Sequence, residues 1–218
     1  MKRLAAIALV LLCTTTGVAT AAGPASKHTA SGTTAAQASL LTLTDLGKGW
    51  TSKAGKTSGI QVRCSGYQPS GKGIVETGVA STPTYAASTA GPFVVQETSE
   101  YATAAQASSY WKKAVTAGLV TCAKQSLSGL TAQGITLKVV SAGPLAITKV
   151  EPMTAGYRVV ATLTSATQKN LKTYLDWIFV GHGAGLTQIV VSSFQPLPVK
   201  YEHALAVLAD HHMSLPTA

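Results

Sequence analysis

Acidic residues are scarce in this sequence. Only 8 Asp and Glu stand against 17 Lys and Arg in 218 residues, and charged side chains make up 11% of the chain. So little charge beside 46% hydrophobic residues excludes a chain kept unfolded by polarity and self-repulsion. Long apolar runs are missing too: none reaches the roughly 18 residues that a membrane-spanning helix needs. No Gly-x-Ser-x-Gly occurs, so the nucleophile turn of many serine hydrolases is absent. A glycosidase needs two converging carboxyl groups. The nearest strand pair, Glu97 and Glu100, is three residues apart and points to opposite faces. Beyond the first three residues the basic side chains are single, apart from Lys112-Lys113, and no aromatic residues interleave with a basic stripe. That argues against nucleic acid as a partner. No catalytic residue, metal site or cofactor is assigned.

What is present begins with a leader. Lys2 and Arg3 precede the apolar stretch Leu4 to Cys13, and Ala19-Thr20-Ala21-Ala22-Gly23 supplies small residues for cleavage. Residues 1–22 therefore read as a signal peptide cut after Ala21 or Ala22, and the protein is expected outside the cell or in its envelope. Removing the leader leaves 15 Lys and Arg against 8 acids, so the exported chain stays basic and is drawn to anionic head groups or wall polymers. Residues 23–34, rich in Ser, Thr, Ala and Gly, read as a flexible tether. One domain is expected over 35–218. Cys13 leaves with the leader, and in an oxidising compartment the remaining pair, Cys64 and Cys122, is expected to form a disulfide.

Along the chain, Ala35 to Leu46 has helical spacing, closed by Gly47, with Trp50 placed to fold back on it. Thr51 to Gln61 reads as a loop, and Ile60 to Cys64 as a short strand. Gly73 to Ser81 and Phe93 to Tyr101 read as strands. Thr103 caps a helix carrying Ala104, Ala107, Trp111 and Val115 on one face, and Cys122 shares that face if the helix continues past Gly118. Ile135–Val140, Leu145–Val150, Tyr157–Thr164, Leu171–Val180 and Leu186–Phe194 follow as strands, with Gly181 to Gly185 as the last turn. A final helix runs from Val199 to about His212, its buried stripe being Tyr201, Ala204, Leu205 and Leu208. This order predicts an α+β fold, a mostly antiparallel sheet packed with helices.

Two segments carry a family resemblance. Ser39-Leu40-Leu41-Thr42-Leu43-Thr44-Asp45-Leu46-Gly47-Lys48-Gly49-Trp50 resembles the opening of many exported actinobacterial proteins. Val95-Gln96-Glu97 through Tyr101, Ala104-Ala105, Tyr110-Trp111-Lys112 and Cys122 is similar to their strand–helix–Cys segment. Together they resemble the PknH-like sensor domain, the extracellular part of certain receptor kinases. The resemblance implies an α+β sheet, disulfide stabilisation and a ligand-binding groove, and implies no catalysis. The receptor domain uses two cysteine pairs where this chain has one, and no kinase domain accompanies it.

The expected function is a non-catalytic binding or sensor-like module of the envelope for a small molecule, lipid or wall fragment, with peripheral attachment to membrane or wall. An envelope hydrolase and a protein-docking factor are the alternatives. With Gly183 at the centre of a turn over His182 to Ala184, Asp176 stands opposite Val190 and Tyr174 opposite Ser192. Tyr174, Asp176, Gln188 and Ser192 then share one face, and Arg158 on the preceding strand reaches Asp176. These five form the expected groove floor. Leu175, Trp177, Phe179, Ile189 and Val191 fall on the other face, as the main core. Among the histidines, His28 lies in the tether and His182 in the turn. His203 and Asp210 share an exposed helix face, and His211-His212 complement the helix dipole.

Overall fold

Val, Ile, Thr and aromatic residues recur with period two over the second half of the chain, and the strands they build dominate the molecule. The computed structural model describes residues 23–53, 64, 66–128, 131–132 and 134–215. The leader, and residues 60–63 of the strand expected over Ile60 to Cys64, lie outside these residues. In chain order the elements are β1 (Ala25–Ser26), α1 (Ala30–Ala38), α2 (Leu43–Leu46), β2 (Thr51–Lys53), β3 (Val75–Ser81), β4 (Thr84–Ala86) and β5 (Phe93–Tyr101). Then come α3 (Ala104–Ala114), α4 (Ala117–Leu127), β6 (Thr131–Ala132), β7 (Ile135–Pro144), β8 (Met153–Thr164), β9 (Leu171–His182), β10 (Gly185–Ser193) and α5 (Val199–Ser214). The fold is α+β, as the pattern predicts.

One sheet runs in the order β1-β3-β5-β10-β9-β8-β7-β6, with β4 also pairing β5 and β2 pairing β4. Every pairing is antiparallel except β1 with β3. On one face Val94, Ile178, Val180, Ile189 and Val191 pack against Leu41 and against Leu205, Ala206 and Ala209 of α5. On the other, Val159, Ala161, Leu163, Leu175 and Trp177 pack against Leu119, Ala123 and Leu127 of α4. Ile74, Tyr101 and Ala107 form a smaller cluster beneath α3. Cys64 and Cys122 are bonded, their Cα atoms 5.6 Å apart across a separation of 58 residues.

Several elements differ from the sequence reading. The expected tether holds β1 and the first half of α1, whose N-cap Thr29 accepts a hydrogen bond from the Gly32 amide. The helix expected over 35–46 is two helices, α2 starting from the capping box of Thr42 and Asp45. Trp50 stacks on Tyr201 of α5, ring centroids 6.5 Å apart and planes 4° from parallel. The Thr103 helix breaks at Val115, where the Tyr67 hydroxyl donates to the freed Ala114 carbonyl, and Cys122 lies on the second helix. Leu145 to Val150 is not a strand. Leu145 is buried, and Ile147 and Val150 pack against the α5-side core, so their apolar alternation reflects packing of an irregular segment.

One buried polar group on the α5 face, the Gln96 amide, is satisfied internally. Gln96, fully buried, accepts the Leu41 amide on Oε1 at 2.6 Å. Its Nε2 donates to the Ser39 carbonyl at 2.9 Å and to the Thr187 hydroxyl at 2.9 Å. This network holds the chain after α1 against the sheet, because each of these buried groups costs free energy when left unpaired.

Candidate functional site

Strand β9 carries a row of side chains toward α5. Pairing of β8 with β9 sets Arg158 opposite Asp176, and pairing of β9 with β10 sets Tyr174, Asp176 and Ile178 opposite Ser193, Val191 and Ile189. The Arg158 guanidinium meets Asp176 with two bonds, Nε to Oδ1 at 2.6 Å and an Nη to Oδ2 at 2.7 Å. The same Nη donates to Glu202 Oε1 at 3.0 Å and to the Leu197 carbonyl at 3.2 Å. Glu202 comes from the first turn of α5, so the start of that helix is fastened to the sheet through hydrogen bonds from the Arg158 guanidinium.

The cluster is largely withdrawn from water. Relative exposure is 0% for the Glu202 side chain, 1% for Asp176 and 21% for Arg158. Burial, and then the proximity of Asp176, push the Glu202 carboxyl up to about 7. Hydrogen bonding to Asp176 raises the guanidinium of Arg158 further, so the arginine stays charged. With Glu202 protonated the three groups balance: one cation, one anion and a neutral acid. With Glu202 ionised the site carries an excess negative charge where water cannot screen it. Toward solvent, the Tyr174 ring lies 5.9 Å from the Arg158 guanidinium carbon and 6.0 Å from Lys172 Nζ, within cation–π range of both.

Three of the five residues expected in the groove thus come together: Arg158, Tyr174 and Asp176. Gln188 and Ser192 do not. Gln188 pairs with Phe179 and Ser192 with Leu175, so both project from the opposite face. The cause is the turn. Gly183, at φ +56°, and Ala184 form a two-residue loop with His182 paired to Gly185, one residue shorter than expected. Two-residue turns with positive φ follow the twist of the strands they join. A slip of one residue exchanges the faces of an entire strand, and it moves Ile189 and Val191 onto the face of Asp176. The core consequently forms on both sides of the sheet, with Leu175 and Trp177 on one and Ile189 and Val191 on the other.

Glu202 is the participant the sequence reading missed. It stands three, four and seven residues before Leu205, Ala206 and Ala209, which are all buried, so an acid occupies the apolar row of the helix. The expected stripe included Ala204 instead, and Ala204 is exposed. A second missed group lies at the other end of β9. Nδ1 of His182 is 2.9 Å from Asp210 Oδ1 and 3.8 Å from Glu151 Oε1. The three ligand atoms fall within 4.8 Å of one another, a donor set able to hold a cation. Asp210 faces the sheet, so it and His203 do not make up an exposed helix face; His203 is half-buried, its Nδ1 without a hydrogen-bond partner among the described residues. His212, expected only to complement the helix dipole, contacts Asp45 Oδ2 at 3.2 Å.

No protein-family model matches the sequence, and no curated protein matches it. The structure is similar to the crystal structure of the extracellular domain of PknH from Mycobacterium tuberculosis, at 14% identity and a TM-score of 0.37. The match covers 63% of this chain and 64% of that one, so it spans just under two thirds of the domain it resembles. The likeness is distant and is one of fold alone. Among the described residues, no helix is long and apolar enough to cross a membrane.

Proposed function

We propose that this chain is an exported, non-catalytic binding module of the cell envelope, and that its ligand is a lipid or wall fragment carrying an anionic group. The observation behind this reading is the Tyr174 ring of β9 flanked by Lys172 on the same strand and by Arg158 on the neighbouring β8. Asp176 and Glu202 hold the guanidinium from beneath, so an aromatic face and two cations sit on a rigid element at little entropic cost to a ligand. The basic balance of the chain favours such a partner at long range, and the leader over residues 1–22 supports export.

Native mass spectrometry of the protein recovered from culture medium tests the reading, through the mass of any co-purified molecule. Titrations with muropeptides and with vesicles of anionic phospholipid then separate wall fragment from lipid. Tyr174→Ala and Lys172→Ala are each expected to weaken binding by about tenfold, the loss of one good contact. Binding as tight as the parent's in both variants would overturn the assignment of the site.

A further inference from the structure

Glu151 and Asp210, two of only eight acids, are met by His182 and, among the described residues, by no lysine or arginine. Two carboxylates and one imidazole remain net negative whichever protonation state the ring adopts. In a chain with 17 Lys and Arg that is a local charge deficit, and a divalent cation would fill it. The three side chains come from separate places: the loop between β7 and β8, the last residue of β9, and the last third of α5.

Each backbone is fixed. The amides of Val150 and Glu151 donate to Thr154 Oγ1 at 3.3 and 3.0 Å, and the Thr154 hydroxyl donates to the Glu151 carbonyl at 2.7 Å. His182 is locked by its pairing with Gly185 across the two-residue turn. Asp210 follows Ala209, which is fully buried against the sheet. The side chains, at 35%, 34% and 18% exposure respectively, remain reachable by an ion without opening the fold.

Donor atoms around an ion bound at about 2.0–2.2 Å stand about 3–3.5 Å apart. The His182 distances, 2.9 and 3.8 Å, bracket that spacing, so small side-chain rotations bring the atoms onto one centre. One imidazole nitrogen with two carboxylate oxygens suits zinc and its transition-metal neighbours. Calcium takes six or more oxygens, and magnesium keeps most of its waters. We propose that Glu151, His182 and Asp210 form a site for a divalent transition metal of the zinc class, with one position left for water or an external ligand. Bound there, the ion ties the distal part of α5 to β9 and to the loop before β8.

The test uses the full chain without a polyhistidine tag, stripped with chelator and titrated with Zn²⁺ by calorimetry and with Co²⁺ by visible absorption. One equivalent is expected to bind. At a free concentration a hundredfold above the dissociation constant, the thermal midpoint is expected to rise by about 5 °C or more. Asp210→Asn, which preserves side-chain shape, and His182→Ala are each expected to weaken binding at least about tenfold. Midpoints measured without metal establish that both variants fold. His211→Ala, at the exposed neighbour of Asp210, is expected to bind as the parent does. The proposal is overturned if Zn²⁺ leaves the parent unchanged, if Asp210→Asn and His182→Ala bind as tightly as the parent, or if His211→Ala alone loses the ion.

Discussion

Glu202 illustrates how one residue sets a pH response. A carboxyl raised to about 7 in the folded protein, against 4.5 as the ordinary value, binds more protons folded than unfolded across that interval. Its contribution to stability is therefore complete below about 4.5 and is lost as the pH rises through about 7. Glu100 acts in the same direction: burial lifts it to about 7, where its Oε1 lies close to Gly185 and the Met213 sulfur beside it. On account of these two acids, stability is expected to fall between pH 5 and pH 8. Glu202→Gln removes one of them while retaining an amide that donates to Asp176. The variant should gain on the order of 1–3 kcal/mol over the parent at pH 8 and almost nothing at pH 5. Urea unfolding of both proteins at the two pH values checks this; parallel pH profiles would refute it. Legibility in the sequence followed the same residue-level logic. Arg158 with Asp176 could be read because strand alternation and a neighbouring opposite charge suffice to suggest the pair. Gln188 and Ser192 could not be placed, since Gly181 to Gly185 offers three glycines and no local signal for which two residues form the turn.

Among the elements, α1 is the one that composition concealed. Ser31-Gly32-Thr33-Thr34 has the character of a linker, and a glycine inside a helix costs about 1 kcal/mol relative to alanine. The structure supplies the reason for that glycine. A Cβ built on Gly32 would lie 2.4 Å from the Thr77 carbonyl oxygen, and one on Gly78 would lie 2.2 Å from the backbone of Gly32. The helix thus crosses β3 with backbone against backbone, at a place where β3 also shifts register between Glu76 and Gly78. Gly78→Ala forces the two apart and is expected to destabilise the protein by about 2–3 kcal/mol, the range for overpacking a tight contact. Thermal unfolding measures it, with Gly47→Ala, whose added Cβ meets nothing within 4 Å though its φ of +87° carries its own strain, as a comparison for the backbone effect alone. Long strands with clear alternation, β5, β9 and β10, were readable nearly to their ends, whereas β8 starts four residues before the expected Tyr157. The three-residue strands β2 and β4 were not, because so few residues show no period of their own.

At the scale of the molecule, the Cys64–Cys122 bond is the covalent tie between the segment before β3 and helix α4. A loop of that length constrains the unfolded chain by roughly 4 kcal/mol, a large share of a single domain's stability. Reduction is expected to lower the thermal midpoint by on the order of 10 °C. Alkylation and intact mass on the untreated protein should show no free thiol at either position, and two modified cysteines there would refute the bond. The α+β class and the disulfide were both legible from the sequence, one from the order of helical and alternating segments and the other from the cysteine count. The division of the core into two layers was not, since it depends on the register of a single hairpin.

The parallel pairing of β1 with β3 has a consequence for the leader proposed over residues 1–22. Ala25 pairs with Val75, and Gly71 lies against the backbone of Gly23 and Pro24. With the proposed cleavage after Ala21 or Ala22, only two or three residues, at most about 10 Å at full stretch, separate the scissile bond from β1 at Ala25. No slack remains there for a peptidase to work on a finished domain at the membrane. On the proposed export, leader removal is expected to come first, with β1 docking on β3 only afterwards as the closing step of assembly.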